Sequence, residues 1–347
     1  MTVYIVDIEA VDTRYTSQWK KHLPTQLAMA TGLDVKVISG GEVPQATTPG
    51  AFLNFGGTNV YKSKQLEQLG GLFCDGKISD GDYFLYTDAW NPTVIQLRYM
   101  ASLLGTDITI GGMWHAGSYD PQDFLGRLIG DAPWVRHAEQ SMYECYDHNF
   151  FATQFHIDLF KKSFKTDASK MYRVGWPMEY MADTLYNIQE TKENIVLFPH
   201  RLAPEKQHDI FLDLAKSFPD YQFITAQEKT LTKDEYHTLL AKSKMVFSAN
   251  LQETLGISWY EGALVGSVPF VPDRLSYSEM ATPEVLYPSE WTESWDKYLE
   301  NKDKLVQRMT DCLNRNDNSY ICTTVVKKLD DFFDGKQLYN KIKELSA

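Results

Sequence analysis

Two glutamates eight residues apart, Glu253 and Glu261, flank a glycine in SANLQETLGISWYEGALVGSVPFVP, and two cations, Arg201 and Lys206, stand upstream in FPHRLAPEKQHDIF. This set suits a ligand that is anionic at one end and hydroxylated at the other. A carboxylate accepts hydrogen bonds from sugar hydroxyls, whereas guanidinium and ammonium groups pair with phosphate oxygens. Between the glutamates, Thr254, Leu255 and Gly256 stand where a helix begins, and a helix start offers unpaired backbone N–H groups to an anion. Gly256 has no Cβ to collide with a phosphate. A plainer reading competes: Glu253 merely suits the positive helix end, Glu261 is a surface residue, and Arg201 and Lys206 are an exposed loop pair. In the first half, TDITIGGMWHAGSYD ends a strand with His115 exposed on a turn rich in Gly111, Gly112 and Gly117, where it can bind a proton near neutral pH or simply bond within its loop. Asp88 closes DYFLYTD and either orients an acceptor or caps the next helix.

Positioning such groups requires strands that end at one edge. Apolar runs recur as VYIVDI, LDVKVIS, GAFLNFG, DYFLYTD and TDITIGGMW, separated by helix-spaced stretches such as NPTVIQLRYMASLLG. That alternation predicts a parallel α/β sheet. Residues 140–164 read as helix, short strand and helix, and MYRVGWPMEYM, with Gly175 and Pro177, as a hinge. The pattern restarts with NIVLFPHR, HDIFLDLAKSF, YQFITA, KDEYHTLLAKS, MVFSAN, a helix near Gly256, and SVPFVP. Two Rossmann-like α/β domains follow, over 1–174 and 175–325, and an amphipathic helix over 326–347 is expected to pack back across them. Ligands of such sheets bind at the carboxyl ends of the strands.

The chain has 347 residues, 43% hydrophobic and 23% charged, which suits two globular cores. No run approaches the roughly 20 apolar residues of a membrane helix, and MTVYIVDIEAV begins a strand at once, so the expectation is a cytoplasmic protein without membrane insertion. Cys74, Cys145, Cys312 and Cys322 lack the spacing of a zinc site or a disulfide framework. The net charge of −12 opposes general binding to phosphate backbones, although basic patches occur near Lys62, Lys161 and Lys162, and Lys327 and Lys328.

The Glu253-to-Glu261 segment, with its preceding strand and its GALVGSVPFVP continuation, resembles the Glu-x7-Glu signature of retaining glycosyltransferases of the GT-B fold. FPHRLAPEKQ is similar to that family's segment for the donor diphosphate. The combination of PHR, ETLGISWYEG and PDRLSYSEM further resembles the tRNA-queuosine mannosyltransferase-like subgroup and related enzymes acting on nucleic-acid bases, with Ser278 where that pattern usually has proline. The resemblance implies a nucleotide-sugar donor, UDP-linked being favoured, bound in a cleft between the two domains. Glu253 would meet the donor sugar, Glu261 the ribose, Arg201 and Lys206 the diphosphate, and His115 the sugar from the first domain. No metal or further cofactor is implied.

The first domain departs from the family in lacking a glycine pair after VYIVDIEAV, where Tyr15, Thr16 and Ser17 offer hydroxyls instead. For the acceptor, the subgroup implies a hydroxyl on a modified nucleobase, 5-hydroxymethylcytosine in DNA or queuosine in tRNA, with Asp88, Trp90, Trp114 and Tyr119 as candidate contacts. A small-molecule, lipid or polysaccharide acceptor is the alternative, and a non-catalytic nucleotide-sugar-binding module is a reading of another class. A metal-dependent enzyme using Asp80-Gly81-Asp82 is the nearest rival, but that triplet precedes a strand as an exposed turn would.

Overall fold

The computed structural model describes residues 1–11, 14–43, 46, 53–130 and 132–345. They form two compact units, Met1–Met178 with Gly335–Ala347, and Glu179–Asp334. The chain thus leaves the first unit after Met178 and returns to it at Gly335, where the sequence suggested boundaries at 174/175 and 325/326.

The first unit is built on strands β1 (Thr2–Val6), β2 (Asp34–Ile38), β3 (Tyr83–Tyr86), β4 (Thr109–Trp114), β5 (His148–Phe151) and β6 (Met171–Arg173). They form one sheet in the order β2-β1-β3-β4-β5-β6, every pair parallel. Parallel strands covered by helices bury both faces, so β1 and β3 read as unbroken apolar runs. Val3 to Val6 and Tyr83 to Tyr86 are all buried. Gly111 and Gly112 are strand residues of β4, not part of a turn, and large rings lie across them. A Cβ would come within 2.2 Å of the Tyr83 hydroxyl at Gly111 and 2.6 Å of the Tyr146 ring at Gly112.

The second unit has β7 (Glu193–Phe198), β8 (Gln222–Thr225), β9 (Ser243–Phe247), β10 (Val268–Pro272) and β11 (Leu286–Tyr287), a parallel sheet in the order β11-β10-β9-β7-β8. Its helix ends are tied by one side chain. Lys192 Nζ donates to Ala241 O (2.7 Å), Val265 O (2.9 Å), Ser243 O (3.0 Å) and Ser267 Oγ (3.0 Å), satisfying carbonyls that the helices Lys233–Lys242 and Ile257–Leu264 leave unpaired. Burial pushes this ammonium down to about 8.

Three local expectations need correction. GAFLNFG is not a strand where it is described: Asn54 caps the helix Phe55–Cys74 by accepting from Gly57 N at 2.8 Å, and residues 50–52 lie outside the described residues. MYR is strand β6. The stretch read as one terminal helix is two, Asn318–Phe333 and Lys336–Glu344, broken at Gly335, whose φ of +63° suits glycine. The first packs on the helix Ile257–Leu264 of the second unit, the other on the helix Tyr15–Thr31 of the first. Among the described residues no helix is long and apolar enough to cross a membrane.

Candidate functional site

In the second unit β9 runs into the turn 248–256, and the helix Ile257–Leu264 leaves it. Gly256, with φ +78°, makes the corner. Glu253 lies inside this turn and is the centre of its bonding. Its Oε1 accepts from the backbone N–H groups of Thr254 and Gly256, each at 3.2 Å. Its Oε2 accepts from Asn250 Nδ2 at 3.0 Å and faces Lys206 Nζ at 3.4 Å. Lys206, itself buried, donates a shorter bond to Gln252 O at 2.6 Å.

The donors expected to meet an anion, Lys206 and the N–H groups of Thr254 and Gly256, are therefore gathered on one carboxylate of the protein itself. Burial alone would raise that carboxyl. The Lys206 charge beside it, with the bonds from Lys206 and Gly256, outweighs burial and holds Glu253 below the usual carboxylate range. Arg201 is paired with Glu205, whose carbonyl oxygen accepts from Leu251 N at 2.8 Å, so Arg201 connects to the same turn through its partner. The Leu255 side chain is fully buried, and Leu255 O accepts from Trp259 Nε1 at 3.2 Å.

Glu261 lies in the helix proper, with Oε2 accepting from Tyr236 OH at 3.2 Å and Oε1 at 3.9 Å from His237 Nε2. Its side chain is 16% exposed, so the surface reading of this residue does not hold. Three residues that sequence reasoning left without a role shape the turn. Tyr277 OH bonds Ser248 Oγ and Asn250 Nδ2, at 3.1 and 3.0 Å. Arg274 donates to Ala249 O and Asn250 O, both at 2.7 Å, and Gln207 Nε2 also reaches Ala249 O, at 2.5 Å. The signal for Arg274 and Tyr277 was present in PDRLSYSEM, but nothing in the spacing said that both serve the turn rather than a ligand.

His200 is buried beside Lys206 and Glu253, and burial first, then Lys206, pushes it down to about 3. Since the unfolded ring titrates near 6.5, the stability gained from a neutral His200 is complete above that pH and is lost as pH falls toward 3. We expect the wild type to lose on the order of 2 kcal/mol more than His200→Asn between pH 7.5 and 5. Urea unfolding of both proteins at the two pH values measures this, and parallel losses would exclude His200 as the cause.

In the first unit the expected residues gather at the carboxyl ends of β1, β3 and β4. His115 is half-buried rather than exposed. Its Nε2 bonds Thr87 O at 2.6 Å and its Nδ1 pairs with Tyr15 OH at 2.7 Å, so a neutral ring donates to the carbonyl and accepts from the phenol. Burial lowers its pKa against the opposing pull of Asp88. Asp88 Oδ2 pairs with Lys62 Nζ at 3.1 Å, and Oδ1 accepts from Trp90 N at 3.0 Å. Burial would raise Asp88, but Lys62 and the bonds it receives hold it low. Lys62, read from the sequence as part of a basic patch, is instead the half-buried partner of Asp88 and the Trp90 carbonyl.

Trp114 and Tyr119 require correction. Both are buried, Trp114 against Tyr146, Phe151 and Phe160, and Tyr119 against Phe160 and Phe164. Neither ring can offer a face to a base without opening the core, so the stacking role is withdrawn. The Asp80-Gly81-Asp82 triplet is only partly exposed. Asp82 is buried and accepts from Thr2 N (2.7 Å) and Ser79 N (2.9 Å), which makes it a tie between strand ends. Among the described residues no three His, Cys, Asp or Glu side chains converge as metal ligands.

No family model matches the chain, and no curated protein matches it in sequence. In structure it is similar over its length to sucrose-phosphate synthase from Thermosynechococcus elongatus, with TM-score 0.67 and 10% identity, covering 99% of this chain and 98% of that one. It is similar also to the lipopolysaccharide outer core galactosyltransferase WaaB in its apo form (TM-score 0.66, 8% identity, 100% of both chains). The catalytic domain of starch synthase IV from Arabidopsis thaliana, bound to ADP and acarbose, gives TM-score 0.63 and 10% identity over 100% of this chain and 99% of that one. Against a chain of the GtfA/B complex (TM-score 0.55, 13% identity), 82% of this chain spans 61% of that one. At these identities the likeness is one of fold: two parallel-sheet α/β domains of the GT-B type.

Proposed function

We propose that this protein transfers a sugar from a nucleotide-diphosphate sugar, UDP-linked in the first instance, to a hydroxyl acceptor with retention of anomeric configuration. One observation carries the reading: a buried lysine, a glutamate and the N-terminal N–H groups of a helix meet at the carboxyl end of β9. That combination is built to exchange one anion for another. A donor diphosphate competes with Glu253 for Lys206 and the N–H of Gly256, and the released carboxylate accepts from a hydroxyl of the donor sugar. Glu261, partnered by a neutral phenol, accepts from the ribose. In the first unit, His115 is the residue that meets a sugar hydroxyl.

In the transfer, the bond between the anomeric carbon and the diphosphate oxygen breaks and a bond to the acceptor oxygen forms. The acceptor's proton passes to the leaving diphosphate, whose charge Lys206 and Arg201 stabilise. No divalent metal is part of this proposal, and unchanged turnover in a chelator belongs to its test. A nucleobase acceptor loses two of its three stacking candidates, Trp114 and Tyr119, to the core, while Trp90 is half-buried with its Nε1 donating to Glu139 Oε1 at 2.9 Å, so the acceptor is proposed as a hydroxyl compound without a base.

Thermal midpoints with a panel of UDP-, GDP- and ADP-sugars test the donor site. Ligand at about 100 times Kd should stabilise the native state by roughly 2.7 kcal/mol, and Glu261→Ala should diminish the shift. A panel without any shift refutes the reading, and a shift with neither transfer nor hydrolysis leaves a binding module. Retention is checked by the anomeric coupling constant of the product.

A further inference from the structure

At the carboxyl edge of the first unit's sheet stands an acid that the donor chemistry does not use. Glu9 follows β1, is 5% exposed, and has a buried Oε2 without a hydrogen-bond partner. The Thr58 side chain faces the carboxyl, and the charged groups near it are Lys62, Asp88 and Arg14. Thr58 lies near the start of the helix Phe55–Cys74, so this carboxyl stands where a helix end would otherwise favour a ligand's anion.

Two neighbouring lysines already serve carboxylates of the protein, and Arg14 lies over the Tyr15 ring. Lys62 bonds Asp88 and the carbonyl of Trp90 (2.5 Å), and Lys20 lies 3.4 Å from Asp7, which also accepts from Tyr61 OH and Gln65 Nε2. His115 is held as a neutral ring between Thr87 O and Tyr15 OH. A phosphate brought here would face Glu9 and Asp88 and would have to take Lys62 from Asp88. A hydroxyl has no such conflict, and it would supply the donor that the buried Oε2 lacks.

We propose that Glu9 Oε2 is where the first unit receives an uncharged, polyhydroxylated ligand, a saccharide or polyol, and that Glu9 with Asp88 excludes phosphate esters and nucleic acids. On the transferase reading, on which this identification rests, that ligand is the sugar acceptor.

Isothermal titration of the full chain with maltose, cellobiose, chitobiose and myo-inositol, against glucose 6-phosphate and a short single-stranded oligonucleotide, tests the proposal. At least one uncharged compound is expected to bind. Its affinity should fall tenfold or more in Glu9→Ala and less in Glu9→Gln, with thermal midpoints at or above that of the wild type. Binding of the phosphorylated probes alone, binding of nothing, or saccharide affinity untouched in a folded Glu9→Ala protein overturns it. A lower midpoint with unchanged affinity would mark Glu9 as structural and overturns it equally. Donor titration on the same preparations separates the two readings. Saccharide binding without any donor shift defeats only the transferase, and a donor shift without saccharide binding defeats only this proposal.

Discussion

Lys206→Met is expected to lower the kcat/KM of donor consumption by roughly a hundred- to a thousandfold, the cost of deleting one preorganised charge from a leaving-group site. The same change should destabilise the protein, because the Glu253 carboxylate is left in a largely buried turn without its cation. Breaking a buried pair from one side costs on the order of 3 kcal/mol. A second substitution distinguishes the two effects. In Lys206→Met with Glu253→Gln the uncompensated charge is gone, so the urea midpoint should return most of the way while donor consumption stays low. If restoring stability also restored turnover, Lys206 would be a folding residue and the diphosphate assignment would fail.

Gly256→Ala is expected to lose donor binding altogether and to cost about 3 kcal/mol or more. At φ +78° any L-residue other than glycine is strained by about 1–2 kcal/mol. The added Cβ would also lie 2.4 Å from Cδ1 and Nε1 of Trp259 and 3.0 Å from Cε1 of Tyr277. Trp259 is fully buried and bonded to Leu255 O, so its indole cannot swing aside, and the turn must give way instead. That movement separates Gly256 N from Glu253 and disturbs Tyr277, which supports Asn250. Near-ultraviolet circular dichroism should report the altered indole, and donor titration the lost site. An unchanged spectrum with wild-type affinity would show that the corner tolerates a methyl group.

The sheet of each unit was largely legible in the sequence, since buried parallel strands such as those of Tyr83–Tyr86 and Glu193–Phe198 leave continuous apolar runs between helical spacings. GAFLNFG misled because apolar content alone does not distinguish a strand from the approach to a helix, and the deciding feature was the cap that Asn54 forms. The turn 248–256 was legible as a set of residue types. Its bonding was not: a pattern of Glu, Gly and Glu cannot show that the first glutamate draws in the N–H groups of Thr254 and Gly256, nor that Arg274 and Gln207 fasten the strand exit beneath them. In the first unit, the pairing of Lys62 with Asp88 and the burial of Glu9 were illegible for a related reason. Lys62 and Glu9 each lie far in sequence from Asp88, and only the β1–β3 pairing and the helix after β2 place them near it.

The return of the chain at Gly335 sets an order of assembly. Leu338, Tyr339 and Ile342 are buried on the first unit, where their helix covers the helix Tyr15–Thr31. Everything the second unit needs, from Glu179 to Asp334, is synthesised before those three residues exist. The half that begins first on the ribosome is therefore finished last. It waits with part of its apolar surface uncovered while the chain of an entire second domain is made.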